Sequence, residues 1–208
     1  MSIITRRNLL ISGLGTSTAI VLGATLVPTA GRAQDLTVED VLFDPDNPVL
    51  GNPDGDVTIV EFFDYQCPYC KANHPDLTKA VAEDGNVRLV MKDWPILGAP
   101  SIRASQLALG AVDTGTYETA VEALMATEGR LSDAVIKSAL EKVGLDIPEL
   151  DAAYRANRSK WDGLMSRNGA QAAQLGLRGT PAFIVGTSIY PGSMNRTELR
   201  DAIAKSRG

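Results

Sequence analysis

Cysteine and histidine are scarce in this chain, with two of the first and one of the second in 208 residues. A closed zinc site needs four ligands, and a secreted disulfide framework normally uses four cysteines or more, so neither reading is well supported. Aromatic residues are few, at 5%. Basic residues are outnumbered, 20 against 25 acids, which argues against nucleic acid or an anionic membrane surface as a partner. Internal repeats and low-complexity tracts are lacking, so the remaining expectation is an ordinary folded domain with a buried core.

The one long apolar stretch, residues 9–27, is interrupted by Gly13, Gly15 and a polar run from Thr16 to Thr18, and is preceded by Arg6 and Arg7. A small-x-small site follows at Gly31, Arg32 and Ala33. This pattern predicts a cleaved export signal over residues 1–33, and the arginine pair matches the twin-arginine address of bacteria. The alternative, an uncleaved membrane anchor, fits the interruptions and the processing site less well. Lipoprotein attachment is excluded because no cysteine lies near the site. Cleavage removes three basic groups and no acid, so the mature chain is more acidic still.

Residues 34–56 are rich in Pro, Gly and Asp and are expected to form an irregular lead-in, with a short helix near 37–42. "DVTIVEFF" then reads as a central strand apolar on both faces, ending at Asp64. A helix is expected to open at Cys67, with Pro68 where a missing N–H costs nothing, a kink at Pro75 and a stop at Gly85. A second strand is predicted over 87–92. Alanine- and leucine-rich periods broken by Gly115, Gly129, Gly144 and Pro148 predict four or five helices, near 101–113, 116–127, 132–143, 148–158 and 160–175. Two short strands, 182–185 and 188–190, form a hairpin around Gly186, and a last helix over 197–205 is expected to be capped by Thr197. Without the helical block the order is β-α-β-β-β-α, an α/β fold with both cysteines where the first strand meets the first helix. Open α/β sheets place their chemistry at such junctions.

Those cysteines, Cys67 and Cys70, stand in "CPYC". Two randomly placed cysteines would fall three apart roughly once in a hundred times, so the spacing itself is informative. At a helix amino end, unpaired N–H groups and the helix dipole favour thiolate over thiol, which makes Cys67 the attacking and leaving sulfur. Cys70, one turn below and more buried, is the resolving thiol. An inert bridge is the alternative, but so small a loop constrains the unfolded chain little. A metal reading would recruit His74 as a third ligand; no fourth is in sight, and an ordinary solvent-facing histidine is expected. Glu61 lies within the apolar first strand on the face of Ile59 and Phe63, where an acid is costly unless paired. The alternative is exposure of Glu61 by fraying of the strand end.

"VEFFDYQCPYCK", Pro75 five residues after the second cysteine, and "GTPAF" together resemble the thioredoxin superfamily, and the helical block resembles its exported DsbA branch. The resemblance covers residues 36–206. It implies a thioredoxin-like domain over 57–100 and 177–208, with a helical insertion over 101–176. It further implies a cis peptide at Pro181 facing the disulfide, and backbone groups of Thr180 that receive an extended peptide as an added strand. Pro68 and Tyr69, between the cysteines, belong to the same expected substrate-binding surface. Glu61 would assist proton transfer beneath the cysteines, with Lys92 as its partner. Phe63, Tyr69 and Trp94 are candidates for a contact surface, Trp94 being rather a core residue.

The activity implied is that of a periplasmic thiol:disulfide oxidoreductase passing the Cys67–Cys70 disulfide to reduced, unfolded exported proteins, with no organic cofactor and no metal. Reoxidation by a quinone-linked, DsbB-like membrane partner is implied as well. Tyr69 replaces the histidine of the best-known oxidases, which suggests a less extreme oxidant. "CPYC" also resembles exported disulfide isomerases and reductases, usually oligomers built through a long amino-terminal extension. With about 22 residues between cleavage and the first strand, a monomeric oxidase is favoured. A non-catalytic exported chaperone or copper-binding protein is the reading from another class.

Overall fold

The structure, a computed structural model, describes residues 36–208. The predicted export signal lies outside the described residues. Within them the sheet has five strands in the order β1-β3-β2-β4-β5. The central β2 (Val57–Phe63) is buried along its whole length. It pairs in parallel with β3 (Val87–Asp93) and antiparallel with β4 (Ala182–Val185). The hairpin partner β5 (Ser188–Pro191) forms one edge.

The other edge is β1 (Val49–Gly51), antiparallel to β3, inside the segment read from its prolines as irregular. Three residues are too few to show a period, and β1 is held by its neighbours. Met91 donates its N–H to the Pro48 carbonyl at 3.1 Å, and Asn52 to that of Val87 at 2.9 Å. Before it, α1 (Val38–Leu42) starts in a capping box between Thr37 and Asp40.

Alternation along β2 divides the interior. Val57, Ile59 and Phe63 join the large core with α2 (Pro68–Asp84), the helical block and α8 (Arg196–Ser206). Val60 and Phe62 face the other way, against Val41 and Leu42 of α1 and Ala172 of α7 (Arg158–Gln174). Between β3 and β4 run α3 (Ala99–Asp113), α4 (Tyr117–Met125), α5 (Asp133–Lys142), α6 (Ile147–Ala156) and α7. The last helix begins one residue earlier than expected, because Asn195 and not Thr197 caps it. The Asn195 side chain accepts from the Glu198 N–H at 3.1 Å, and Glu198 answers by accepting from the Asn195 N–H at 2.8 Å. A Thr197 cap would have put Arg200 where this reciprocal acid is needed.

Helix α3 lies so close to α6 that only glycine fits at position 110. A Cβ there would stand 2.2 Å from the Leu150 carbonyl oxygen. Gly110→Ala is therefore expected to destabilise the protein by about 1–3 kcal/mol despite alanine's better helix propensity. Urea unfolding checks this, and an unchanged or raised midpoint would refute it.

Candidate active site

The turn from β2 into α2 is tied by Asp64. One carboxylate oxygen accepts from the Gln66 N–H at 2.7 Å and the other from the Leu97 N–H at 2.9 Å, while its carbonyl accepts from the Cys67 N–H at 3.0 Å. Gln66 extends the clamp, donating to the Leu97 carbonyl at 2.7 Å and accepting from the Leu131 N–H at 3.2 Å. Cys67 thereby becomes the N-cap of α2, with Pro68 at its first position and left-handed Gly85 closing its end.

The cysteines are free thiols, Cys67 with 4% of its surface exposed and Cys70 with none. Cys67 Sγ lies 3.2 Å from the Thr180 carbonyl oxygen, to which its S–H can donate. The peptide joining Thr180 to Pro181 is cis, and β4 begins directly after it. Tyr69 is widely exposed, at 68%, and Pro68 is exposed beside it. Phe63, by contrast, is sealed edge-on against Tyr65, and Trp94 packs edge-on against Phe62 on the opposite face of the sheet. Of the three suggested contact aromatics, only Tyr69 is widely exposed, Trp94 being half-buried and Phe63 fully buried.

The Cys67 thiol is lowered to about 6. Its hydrogen bond from Cys70 is the largest cause, followed by the Thr180 side chain and the N–H groups of Cys70 and Tyr69, with burial opposing them. The helix amides do contribute, but less than the partner thiol. Burial pushes the Cys70 thiol far up, helped by its role as donor to Cys67.

Glu61 is fully buried, not frayed into solvent, and neither carboxyl oxygen has a hydrogen-bond partner. Burial first, then the charge of Cys67, raises it to about 8. The pairing expected with Lys92 is not formed. In the β2–β3 register Glu61 stands opposite Met91 and Phe62 opposite Lys92, so the two side chains leave opposite faces. Lys92 instead reaches Asn168 Oδ1 at 3.5 Å and lies 5.8 Å over the Phe62 ring, and burial lowers it to about 8. His74 is not solvent-facing either. It is 3% exposed, and its Nε2 meets Glu122 Oε1 of α4 at 2.9 Å.

A thiol pair at a helix start, facing a proline at the head of an antiparallel strand, identifies the architecture, and comparison identifies the branch. The model of the DSBA-like thioredoxin domain matches residues 58–204. The chain belongs to that family. The chain is similar to a thioredoxin-like oxidoreductase from Silicibacter pomeroyi, at 39% identity and a TM-score of 0.78, over 83% of this chain and 98% of the other. It is also similar to the thiol-disulfide exchange protein alpha-DsbA2 from Wolbachia pipientis, at 29% identity and 0.75, over 80% and 90%. Among curated proteins, a Na(+)/H(+) antiporter NhaA of Salinispora arenicola is 27% identical over 88% of this chain, and the chain spans only 29% of that antiporter's length. Among the described residues no helix is long and apolar enough to cross a membrane.

DsbA-like thiol-disulfide exchange proteins are disulfide oxidoreductases, and this chain has their fold. Sequence reasoning missed three residues around its DsbA-like dithiol. Asp64 was read only as a strand end, although an Asp two residues before an N–H it can bond is a turn signal. Tyr117 and Asp93 carried no local signal at all. They come under the site only through the helical block and the β2–β3 register.

Proposed function

We propose that this protein is an exported disulfide donor. In this reading residues 1–33 are a twin-arginine leader removed on export, residues 57–100 and 177–208 form the thioredoxin-like domain, residues 101–176 are its helical insertion, and the mature monomer works in the periplasm. A client thiolate attacks Cys67 Sγ of the oxidised protein, the Cys67–Cys70 bond breaks, and its electron pair goes to Cys70. A second client thiolate then attacks the client sulfur of the mixed disulfide, and Cys67 leaves as a thiolate. The client thus gains a disulfide and the protein gains two electrons, which a DsbB-like membrane partner removes. Thr180, the cis-linked Pro181, Pro68 and the exposed Tyr69 receive the client beside Cys67, as an extended segment joining the start of β4.

The carrying observation is the asymmetry of the pair. Cys67 is held toward thiolate while Cys70 is held as thiol. A stabilised thiolate makes Cys67 a good leaving group and the disulfide correspondingly oxidising. Equilibration with glutathione is expected to give a potential more oxidising than thioredoxin's, about −270 mV, and more reducing than the strongest oxidases', about −120 mV. Stoichiometric oxidation of a reduced model peptide in one turnover should accompany it. A potential at or below the thioredoxin value would make the protein a reductase, and peptide thiols left intact would make it a non-catalytic binder.

A further inference from the structure

Two carboxyl groups lie on one face of the sheet, Glu61 beside the dithiol and Asp93 further along. Glu61 stands opposite Met91 and Phe63 opposite Asp93, so Asp93 is the diagonal neighbour of Glu61 on the face turned toward α2 and α4. Asp93 is as completely buried as Glu61, and its carboxyl oxygens likewise lack a hydrogen-bond partner. Over this pair come two phenols. Tyr65 rests edge-on against Phe63, its ring centre 4.9 Å away, and Tyr117 enters from the start of α4. The two hydroxyls approach one another, and both phenols are influenced by Glu61 and by Asp93. The Ser105 hydroxyl of α3 and the Asp93 N–H lie near enough to oppose the effect of burial on Asp93, though neither makes a hydrogen bond of good geometry to it. The other ionisable groups facing the pair are Asp64 on the turn and the two cysteines of α2. Lys92, the nearby cation in sequence, leaves the opposite face of the sheet.

A buried carboxyl without a partner is expensive, and two on one face, with two buried phenols close to both, call for an account. We propose that Asp93 is a positioning residue that completes a buried proton store, exchanging a proton with Glu61 through the Tyr65 and Tyr117 hydroxyls as Cys70 gains or loses its own. The inference rests on the disulfide-exchange reading above. When the Cys67–Cys70 bond is broken by a client thiolate, Cys70 Sγ receives the electron pair and takes the proton of the Glu61 carboxyl. The Asp93 proton then passes to Glu61 by way of the phenols, leaving the negative charge on Asp93. Reoxidation runs the same transfers backward, with Glu61 accepting the Cys70 proton as that sulfur attacks the mixed disulfide.

The advantage is electrostatic. Once Cys67 has left as a thiolate, a charge on Glu61 would face it, and it acts against that charge, whereas neither sulfur is among the groups that act on Asp93. Burial raises both acids, Asp93 to about 7 and Glu61 to about 8, so both hold a proton to give at neutral pH.

The test follows resolution of a glutathione mixed disulfide at Cys67, in full-length protein, across a pH series. In Asp93→Asn the base is Glu61 alone, so the midpoint of the rate profile is expected to rise by about one pH unit, with a rate at pH 6 reduced up to about tenfold. The alkylation midpoint of Cys67 should stay in place. A profile superimposable on that of the unmodified protein, or an equal movement of the Cys67 midpoint, overturns the proposal. Should Asp93→Asn fail to fold, infrared difference spectra of the unmodified protein decide. Reduction is expected to remove a protonated-carboxyl band that survives in Glu61→Gln, and its absence from the unmodified protein overturns the store. If the glutathione adduct never resolves at any pH, the exchange reading itself fails, while the infrared result still reports on the acids.

Discussion

Alkylation of the reduced protein is expected to label Cys67 along a single titration centred near pH 6, and to leave Cys70 untouched until the protein unfolds. A free cysteine titrates near pH 8.5, so at pH 7 the thiolate fraction at Cys67 should exceed that of an unassisted thiol by about thirtyfold. The cause can be dissected. Because the hydrogen bond from Cys70 contributes most, Cys70→Ala should raise the midpoint although every helix amide remains. The same variant should accumulate the mixed disulfide with a client, since the resolving sulfur is gone. Cys67→Ser should abolish exchange outright. A midpoint above pH 8, or one unmoved by Cys70→Ala, would show that the Cys67 sulfur is not assisted as described.

What could be read in advance follows the range of the interactions involved. The pair of cysteines, the strand before them and the capping glycine after them all lie within residues 57–85, and local chemistry placed them correctly. The helices of the block were also legible, since each carries its own apolar period and most are closed by a glycine, α6 alone passing into α7 at Asn157. β1 was not, because three residues beside prolines become a strand only when β3 supplies the partner groups. The α8 cap was missed because Thr197 is a plausible cap on its own; what decides is the reciprocal bond between Asn195 and Glu198.

The same limit applies to the site. Glu61 could be singled out as an acid in an apolar strand, but its partner could not be chosen from sequence. The family resemblance pointed to Lys92, and a register placing it opposite Phe62 sent it to the other face. His74 was read as an ordinary solvent-facing histidine, the alternative to a metal site for which no fourth ligand was in sight. Yet it lies four residues after Cys70 on the buried side of α2, where Glu122, 48 residues on, meets it. Asp93 and Tyr117 were invisible for the same reason, as their relation to Glu61 exists only after the sheet and the helical block are assembled.

The second large effect concerns stability against pH, and it follows from those buried acids. Glu61 titrates from about 4.5 in the unfolded chain and about 8 in the folded one; for Asp93 the corresponding values are 3.8 and about 7. Below both unfolded values each group is protonated in both states, and its contribution to stability is fully present. As pH rises the unfolded chain ionises first, so the folded state holds the extra proton and stability falls until the folded values are passed. Each group can cost about 1.4 kcal/mol per pH unit within its window.

Cys67 opposes this in the reduced protein. Its folded value, about 6, lies below the thiol's ordinary value of 9.0, so it adds stability as pH rises through that interval. Reduced protein should therefore lose stability steeply between pH 4.5 and 6 and more gently from 6 to 7. In Cys67→Ser the decline should continue steeply to pH 7. Adding Glu61→Gln should remove close to half of that slope and raise stability at pH 7 by about 2–3 kcal/mol relative to Cys67→Ser alone. Urea unfolding at several pH values measures all three. A flat profile from pH 4.5 to 6, or parallel profiles with and without the glutamate, would mean that Glu61 ionises in the folded protein as it does in water.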